Sequence, residues 1–227
     1  MRQRLSDPVT RTAVAIALAA GTYAISYGVL AINAGLSVAQ TCAMSLLVFT
    51  GASQFAVVGV LGAGGGTLAA LAPALILAAR NGLYGLSLAP LVRGRFAVRA
   101  LQSQLVIDET TAMARAQDTP GEARRAFLTT GVCLFVCWNI GTLIGALLGS
   151  GIGDPEALGL DAMFPAAFLA LLVPQLDRPG ARLAAICGGV VALVLVPFVP
   201  AGVPILAAVL GVIPAMGALR RAAQETP

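Results

Sequence analysis

The sequence contains neither histidine nor lysine. Without histidine, Ser-His-Asp and Cys-His catalysis and most metal sites are excluded, because each of them depends on an imidazole. Charged residues make up only 11% of the 227 residues, whereas a soluble domain carries about 25%. A chain with so few charges cannot cover a surface that faces water on all sides.

Apolar residues take the place of the missing charges and make up 58% of the chain. This composition predicts an all-α, polytopic integral membrane protein, in which residues 1–227 form a single transmembrane helical bundle. All positively charged residues are arginines, and most of them lie between apolar runs. This distribution indicates a role in membrane topology and does not indicate nucleic-acid binding. The four cysteines fall in apolar runs and are predicted to be buried thiols.

Seven apolar segments can be drawn, and a long polar stretch, 93–125, separates the third from the fourth. With its six arginines and four acids, this stretch is predicted to be a cytoplasmic or interfacial connection. The first segment reads as an uncleaved helix, because further spans follow it. The segments cover about residues 12–32, 39–61, 67–92, 126–149, 160–175, 182–199 and 203–219.

The arginines place the N-terminus and the 93–125 stretch on the same, cytoplasmic side, which requires an even number of crossings between them. Three segments lie there, so one is re-entrant, one is split, or the N-terminus is outside. The 67–92 segment is the favoured place for a broken helix, because it contains Pro73 and Pro90 and would make roughly 39 Å of helix. A faint similarity between the segment starts at 35–37 and 159–161 leaves an inverted repeat open, although a strict three-plus-three repeat would place 93–125 outside, against the charge rule.

Arg80 is the only charge in the 67–92 segment. A charge at the bilayer centre costs about 2.5–3.5 kcal/mol on insertion scales, so Arg80 must face protein or water. The planar guanidinium group of Arg80 can donate two parallel hydrogen bonds to a substrate carboxylate. The alternative is a structural role, in which Arg80 pairs with Asp161 or with helix carbonyls.

Three further features each leave two interpretations open. Thr50, Ser53 and Gln54 share one helix face and either join helices or line a polar cavity. Asp108 and Glu109 either carry protons or are solvated charges of an interfacial helix. Phe164, followed by proline, either marks a transporter site or simply starts a helix.

The fourth segment carries small residues at every fourth position, a spacing that lets helix backbones approach closely and predicts a packing surface. Trp138 and Asn139 beside it are interfacial or face a cavity. The small residues are Cys133, Cys137, Gly141, Gly145 and Gly149.

Four motifs in this order resemble the AzlC family, the large subunit of bacterial branched-chain amino-acid exporters, over roughly residues 10–220. They are SLLVFTGASQFAVVGVL at 45–61, AARNGLYGLSLAP at 78–90, IDET at 107–110 and FPAAFLALLVPQL at 164–176. The resemblance implies export of valine, leucine or isoleucine across the bacterial inner membrane, driven by the proton motive force. It also implies a small AzlD-type membrane subunit as partner. No cofactor or metal is expected, and the lack of a nucleophile and base pair argues against an enzyme.

The resemblance carries seven motif positions onto this chain: Gly51, Ser53, Gln54, Arg80, Tyr84, Asp108 and Glu109. In the mechanism that it implies, Arg80 binds the substrate carboxylate and Ser53, Gln54 and Asn81 line the polar part of the site. Phe55 and Phe164 contact the branched side chain, and Asp108, Glu109 or Asp161 carries the proton.

The chain departs from the family at the third segment, where relatives often read Asn-x-Arg-His and this chain has Ala78, Arg80 and Asn81. Without that histidine, no imidazole can carry the proton at neutral pH. A non-transporting structural or regulatory membrane subunit is the alternative function, with Arg80 paired internally to an acid.

Overall fold

The computed structural model describes residues 7–151, 169, 172–173, 176–177, 179–199 and 203–225. Within these residues all regular structure is helical, which confirms the all-α prediction. The chain divides into two compact units, Met1–Phe55 with Ala74–Asp154, and Ala56–Pro73 with Pro155–Pro227. The single transporter domain therefore stays a prediction. Asp161 and Phe164 lie outside the described residues.

Four of the described helices are long and apolar enough to cross a membrane, and the chain is a multi-pass membrane protein. These four are Pro8–Asn33, Thr67–Leu91, Pro120–Gly151 and Val203–Arg220, the second and fourth including a short 3₁₀ turn. In chain order the helices are α1 Pro8–Asn33, α2 Val38–Val48, α3 Gly51–Gly62, α4 Thr67–Leu88, α5 Phe96–Gln104, α6 Asp108–Arg115, α7 Pro120–Gly151, α8 Ala181–Leu195, α9 Val203–Ala208 and α10 Val212–Glu225.

Helices α1 and α7 pack against each other in parallel at the centre of the first unit. At their starts, Arg125 Nη2 donates to both carboxylate oxygens of Asp7 at 2.9 Å, and this contact lowers the pKa of Asp7. Further along, a methyl group added to Gly21 would lie 2.9 Å from the Cys137 carbonyl oxygen, and one added to Gly145 would collide with the Ile25 carbonyl. The predicted small-residue packing surface is thereby confirmed.

This packing gives a first prediction. Gly145→Ala is expected to destabilise the protein by about 1–3 kcal/mol, because the new methyl group forces two helix backbones apart. Gly121→Ala on the same helix is the matched control, since its methyl group meets no described atom within 4 Å and alanine favours a helix. Thermal unfolding in detergent measures both variants, and equal unfolding midpoints would contradict the close approach.

The second apolar segment is interrupted at Phe49 and Thr50, between α2 and α3. Phe49 has φ 37° and ψ 47°, the left-handed region, which costs a non-glycine residue roughly 1–2 kcal/mol. Its buried ring packs edge-on against Phe135 with centroids 4.9 Å apart, which holds this conformation in place. Ser45 bonds Thr142 one turn earlier, so α2 runs antiparallel to α7 and ends beside its middle.

The structure contradicts the predicted break within 67–92 for residues 67–88, because α4 is continuous from Thr67 to Leu88. Pro73 lies near its start and removes a single helical hydrogen bond. Gly82 and Gly85 keep negative φ and form no turn. The discontinuity lies instead in the second segment, where α2 and α3 have 11 and 12 residues. Each is roughly 17–18 Å long, about half of the hydrocarbon core.

A second segment split into two short helices is consistent with the even number of crossings that the arginines require, and the crossing count itself stays a prediction. Two full-length helices, α1 and α4, precede the polar stretch, and the segment between them is split. The Asp7–Arg125 contact places the start of α1 and the start of α7 side by side. The cytoplasmic assignment of that side stays a prediction.

The polar stretch folds into a helical hairpin, α5 and α6 joined at residues 105–107, which reaches inward along α4 and α7. Leu105 packs on Gly131 of α7, roughly 17 Å from the start of that helix. The Thr110 hydroxyl accepts from Ile107 N–H at 3.1 Å and donates to the Leu105 carbonyl at 2.7 Å. Thr111 donates to the Ile107 carbonyl at 2.7 Å. These bonds satisfy the buried backbone of the hairpin turn.

In the second unit, α8 packs closely on the chain around α9 and the 3₁₀ turn Val209–Gly211. A methyl group on Gly188 would lie 2.7 Å from the Ala208 carbonyl oxygen. Most of the segment predicted at 160–175 falls outside the described residues. The inverted repeat therefore stays a prediction.

Candidate functional site

A cavity of about 390 Å³ lies where the end of α2, the hairpin and the C-terminal half of α4 meet. Its polar lining consists of Asn81, Arg99, Ser103 and Gln104, and the rest of the wall is apolar or glycine. The volume is in the range of about 300–1,000 Å³ that is typical of small-molecule sites. Asn81 is the predicted site residue that the structure places here.

Gln104 joins the hairpin to the interrupted segment at this cavity. Its Nε2 donates to the carbonyl oxygens of Leu46 at 3.1 Å and Leu47 at 2.8 Å. Both carbonyls belong to the last turn of α2, where no intrahelical donor is available. The end of α2 and the end of α5 therefore meet at this cavity, and interrupted helices of this kind form binding sites in many transporters.

Arg80 forms an ion pair with Asp108, the first residue of α6. Arg80 Nη1 lies 2.8 Å from Asp108 Oδ2, and the two side chains are 38% and 40% exposed. Arg80 Nε is buried and has no hydrogen-bond partner among the described residues, so one donor of the fork is unused. The partner of Arg80 is thus an acid that the sequence assigned to proton coupling.

Glu109 follows Asp108 in the sequence. Protein atoms around its carboxyl group remove part of its hydration and raise the pKa of Glu109, although the side chain keeps an exposed surface. The charge of Asp108 raises this pKa further, and the charge of Arg80 acts weakly in the opposite direction. Glu109 therefore holds a proton at a higher pH than an ordinary glutamate.

Gln54 lies in an aromatic cluster between α1, α3 and α7. Trp138 Nε1 donates to Gln54 Oε1 at 3.1 Å, and Gln54 is fully buried. Tyr27 packs edge-on against Phe55 and stacks on Trp138, at ring-centroid distances of 5.7 and 6.3 Å. The structure thus brings the predicted residues Gln54 and Phe55 together, with Trp138 in the core and not at an interface.

Gly51 belongs to the same cluster for a steric reason. A methyl group there would lie 2.8 Å from the Trp138 ring. Sequence reasoning missed Tyr27, which is fully buried, because a tyrosine in an apolar first helix carries no motif. Its spacing of four residues from Tyr23 was the one available signal, since both rings contact Phe55.

Ser53 and Tyr84 lie apart from the cavity lining. Ser53 Oγ donates to the Ala74 carbonyl of α4 at 2.9 Å, an inter-helix bond of the kind that the sequence left open. Tyr84 packs on the apolar cluster that includes Leu88, Val106 and Phe127. The other predicted site residues that the structure describes occupy three places: the cavity, the Arg80–Asp108 pair and the Gln54 cluster.

A family model described as AzlC protein matches residues 15–152. This range is more than half of the chain and contains all three places. The chain belongs to the AzlC family. No solved structure matches it.

Three curated relatives resemble this AzlC-family chain. The inner membrane protein YgaZ of Escherichia coli is 29% identical over 167 residues, which cover 68% of this chain and 66% of the relative. An uncharacterized membrane protein of Archaeoglobus fulgidus is 33% identical over 172 residues, or 75% of each chain. The branched-chain amino acid transport protein AzlC of Bacillus subtilis is 25% identical over 194 residues, which cover 83% of this chain and 76% of the relative.

Proposed function

We propose that this AzlC-family protein is the large subunit of a secondary transporter that exports branched-chain or similar apolar amino acids across the inner membrane, driven by the proton motive force. The observation that carries the proposal is the Arg80–Asp108 ion pair, formed within the length of an apolar span. The relatives named as an inner membrane protein and as a branched-chain amino acid transport protein support it.

The ion pair suits a zwitterion because both of its charges have a counterpart on the substrate. The substrate carboxylate takes the place of Asp108 on Arg80, where the unused Nε adds a second donor. The carboxylates of Asp108 and Glu109 then receive the substrate ammonium. An amino acid inserted in this way leaves no charge unpaired, so opening the pair costs little.

Proton exchange follows from the same arrangement. A proton on Glu109 removes one of the negative charges that hold the ammonium, so proton and substrate compete for the site. Competition of this kind couples inward movement of a proton to outward movement of an amino acid. The raised pKa of Glu109 favours loading from the more acidic outer side.

The function is tested in cells that express this chain together with the small hydrophobic chain expected to be encoded beside it. After loading with valine- and leucine-containing dipeptides, these cells are expected to release free valine and leucine faster than cells with an empty vector. A protonophore should abolish export against a gradient. Absence of efflux with and without the small chain would favour a non-transporting subunit, for which the Arg80–Asp108 pair is a purely structural contact.

A further inference from the structure

We infer that the cavity at the end of α2 is an entry site for an apolar α-amino acid, with the substrate carboxylate held by Arg99. This site differs from the Arg80–Asp108 pair, because neither residue of that pair lines the cavity. The inference rests on the proposed export function. It adds a place where the substrate is captured before it reaches Arg80.

Arg99 supplies the positive pole of the cavity. Its side chain lines the cavity from α5 and forms no salt bridge within the described part of the chain. The hydroxyl of Ser103, one turn later, donates to the Arg99 carbonyl at 2.9 Å and lines the same cavity. An unpaired guanidinium on an exposed helix is well suited to bind a carboxylate with two parallel hydrogen bonds.

The opposite pole is negative and lies at the C-terminal end of α2. The partial negative charge of a helix C-terminus favours a cation, and α2 ends at Val48 and Phe49, which line the cavity. Asn81 lines it from α4, and its Oδ1 has no hydrogen-bond partner among the described residues. This oxygen is buried as the side chain stands, so a substrate ammonium would bind it after the Asn81 amide turns toward the cavity, while the carboxylate binds Arg99.

The remaining wall selects for an apolar side chain. Val48, Phe49, Val92 and Val106 line it. A branched aliphatic side chain would be in contact with hydrocarbon there, whereas a polar side chain would lose its hydration without recovering hydrogen bonds. Asn81 adjoins Arg80 in the sequence, so the cavity borders the helical turn that carries the proposed transport site.

Gly85 keeps the α4 side of the cavity open, and it gives a test that does not disturb the fold. A methyl group added there meets no described atom within 4 Å, so a larger side chain would project into the cavity. Gly82 on the same helix has equally open surroundings and does not line the cavity. Gly85→Leu and Gly82→Leu therefore form a matched pair.

The experiment measures binding of radiolabelled leucine to the purified protein with its small subunit. Gly85→Leu and Arg99→Gln are each expected to weaken leucine binding about tenfold or more. Gly85→Leu fills the space of the cavity, and Arg99→Gln removes one charge-assisted contact to the carboxylate. Gly82→Leu and Arg95→Gln, which removes an exposed arginine outside the cavity, should stay near wild type. Wild type should prefer leucine over leucinamide, and this preference should fall in Arg99→Gln but not in Arg95→Gln, with Arg80 accounting for the part that remains.

Unchanged leucine binding in Gly85→Leu and Arg99→Gln would overturn the entry site, as would an absence of leucine binding by the wild-type complex. Equal losses in the two control variants would also overturn it, because the effect would then not be specific to the cavity. Failure of the proposed function is recognised separately, as wild-type protein that binds leucine in this cavity but exports none from cells.

Discussion

Arg80→Ala is expected to lower valine and leucine efflux by about 30-fold or more. The estimate follows from losing a charge-assisted hydrogen bond to the substrate, which costs about 2 kcal/mol or more. The same substitution leaves Asp108 without its partner at 2.8 Å, so it should also destabilise the protein by about 1–3 kcal/mol, between the values for exposed and buried pairs. Efflux from loaded cells and thermal unfolding in detergent measure the two effects.

A double variant separates the transport role from the structural one. Arg80→Ala combined with Asp108→Ala removes both charges, so stability should recover while efflux stays lost. Arg115→Ala, which removes an exposed arginine without a salt bridge in the described residues, is the control for total charge. Wild-type efflux in the double variant would show that Arg80 serves only to compensate Asp108.

Glu109→Gln is expected to abolish export against a gradient while sparing exchange of internal for external leucine. Exchange requires only substrate binding on both sides, whereas accumulation requires a group that binds and releases a proton. Counterflow and protonophore-sensitive efflux distinguish the two activities. Glu122→Gln is the matched control, since Glu122 lies at the exposed start of α7 and bonds Thr119.

The raised pKa of Glu109 also predicts the pH dependence of stability. A carboxyl group whose pKa is raised in the folded state contributes stability that is complete below its ordinary pKa of 4.5 and is lost as the pH rises through the raised value. Wild type should therefore lose stability relative to Glu109→Gln as the pH rises through this window. A constant difference between the two unfolding midpoints, or full export by Glu109→Gln, would contradict the assignment.

The small-residue surface and the long helices could be predicted because they depend on local patterns. Glycines four residues apart on α7 form one stripe whatever the partner helix is, and long apolar runs must be helical to satisfy their backbone. The polar pair Asp108–Glu109 could be singled out for the same reason, as adjacent acids in an apolar chain. The partner of Asp108 could not be predicted, because Arg80 is 28 positions earlier in the sequence and their contact depends on how far the hairpin reaches along α4.

The position of the broken helix shows why local signals were insufficient. Proline and glycine in 67–92 favoured a break there, yet α4 continues through them, because Pro73 near its start removes only one hydrogen bond and Gly82 and Gly85 keep negative φ. Phe49 carries no breaking signal at all. Its left-handed conformation is held by Phe135 and followed by the aromatic cluster around Gln54, which are contacts distant in sequence.

By itself the sequence determined that this chain is a multi-pass helical membrane protein of the AzlC family, that α7 offers a small-residue face, and that Arg80 must face protein or water. Composition and short motifs carry that information because burial in a bilayer constrains every residue in the same way. The tertiary structure alone decided that Asp108 is that partner, that the second segment stops midway, and that Arg99, Asn81 and the end of α2 enclose one cavity. These three features depend on where one helix ends along the length of another, and that position is fixed by packing between residues far apart in the chain.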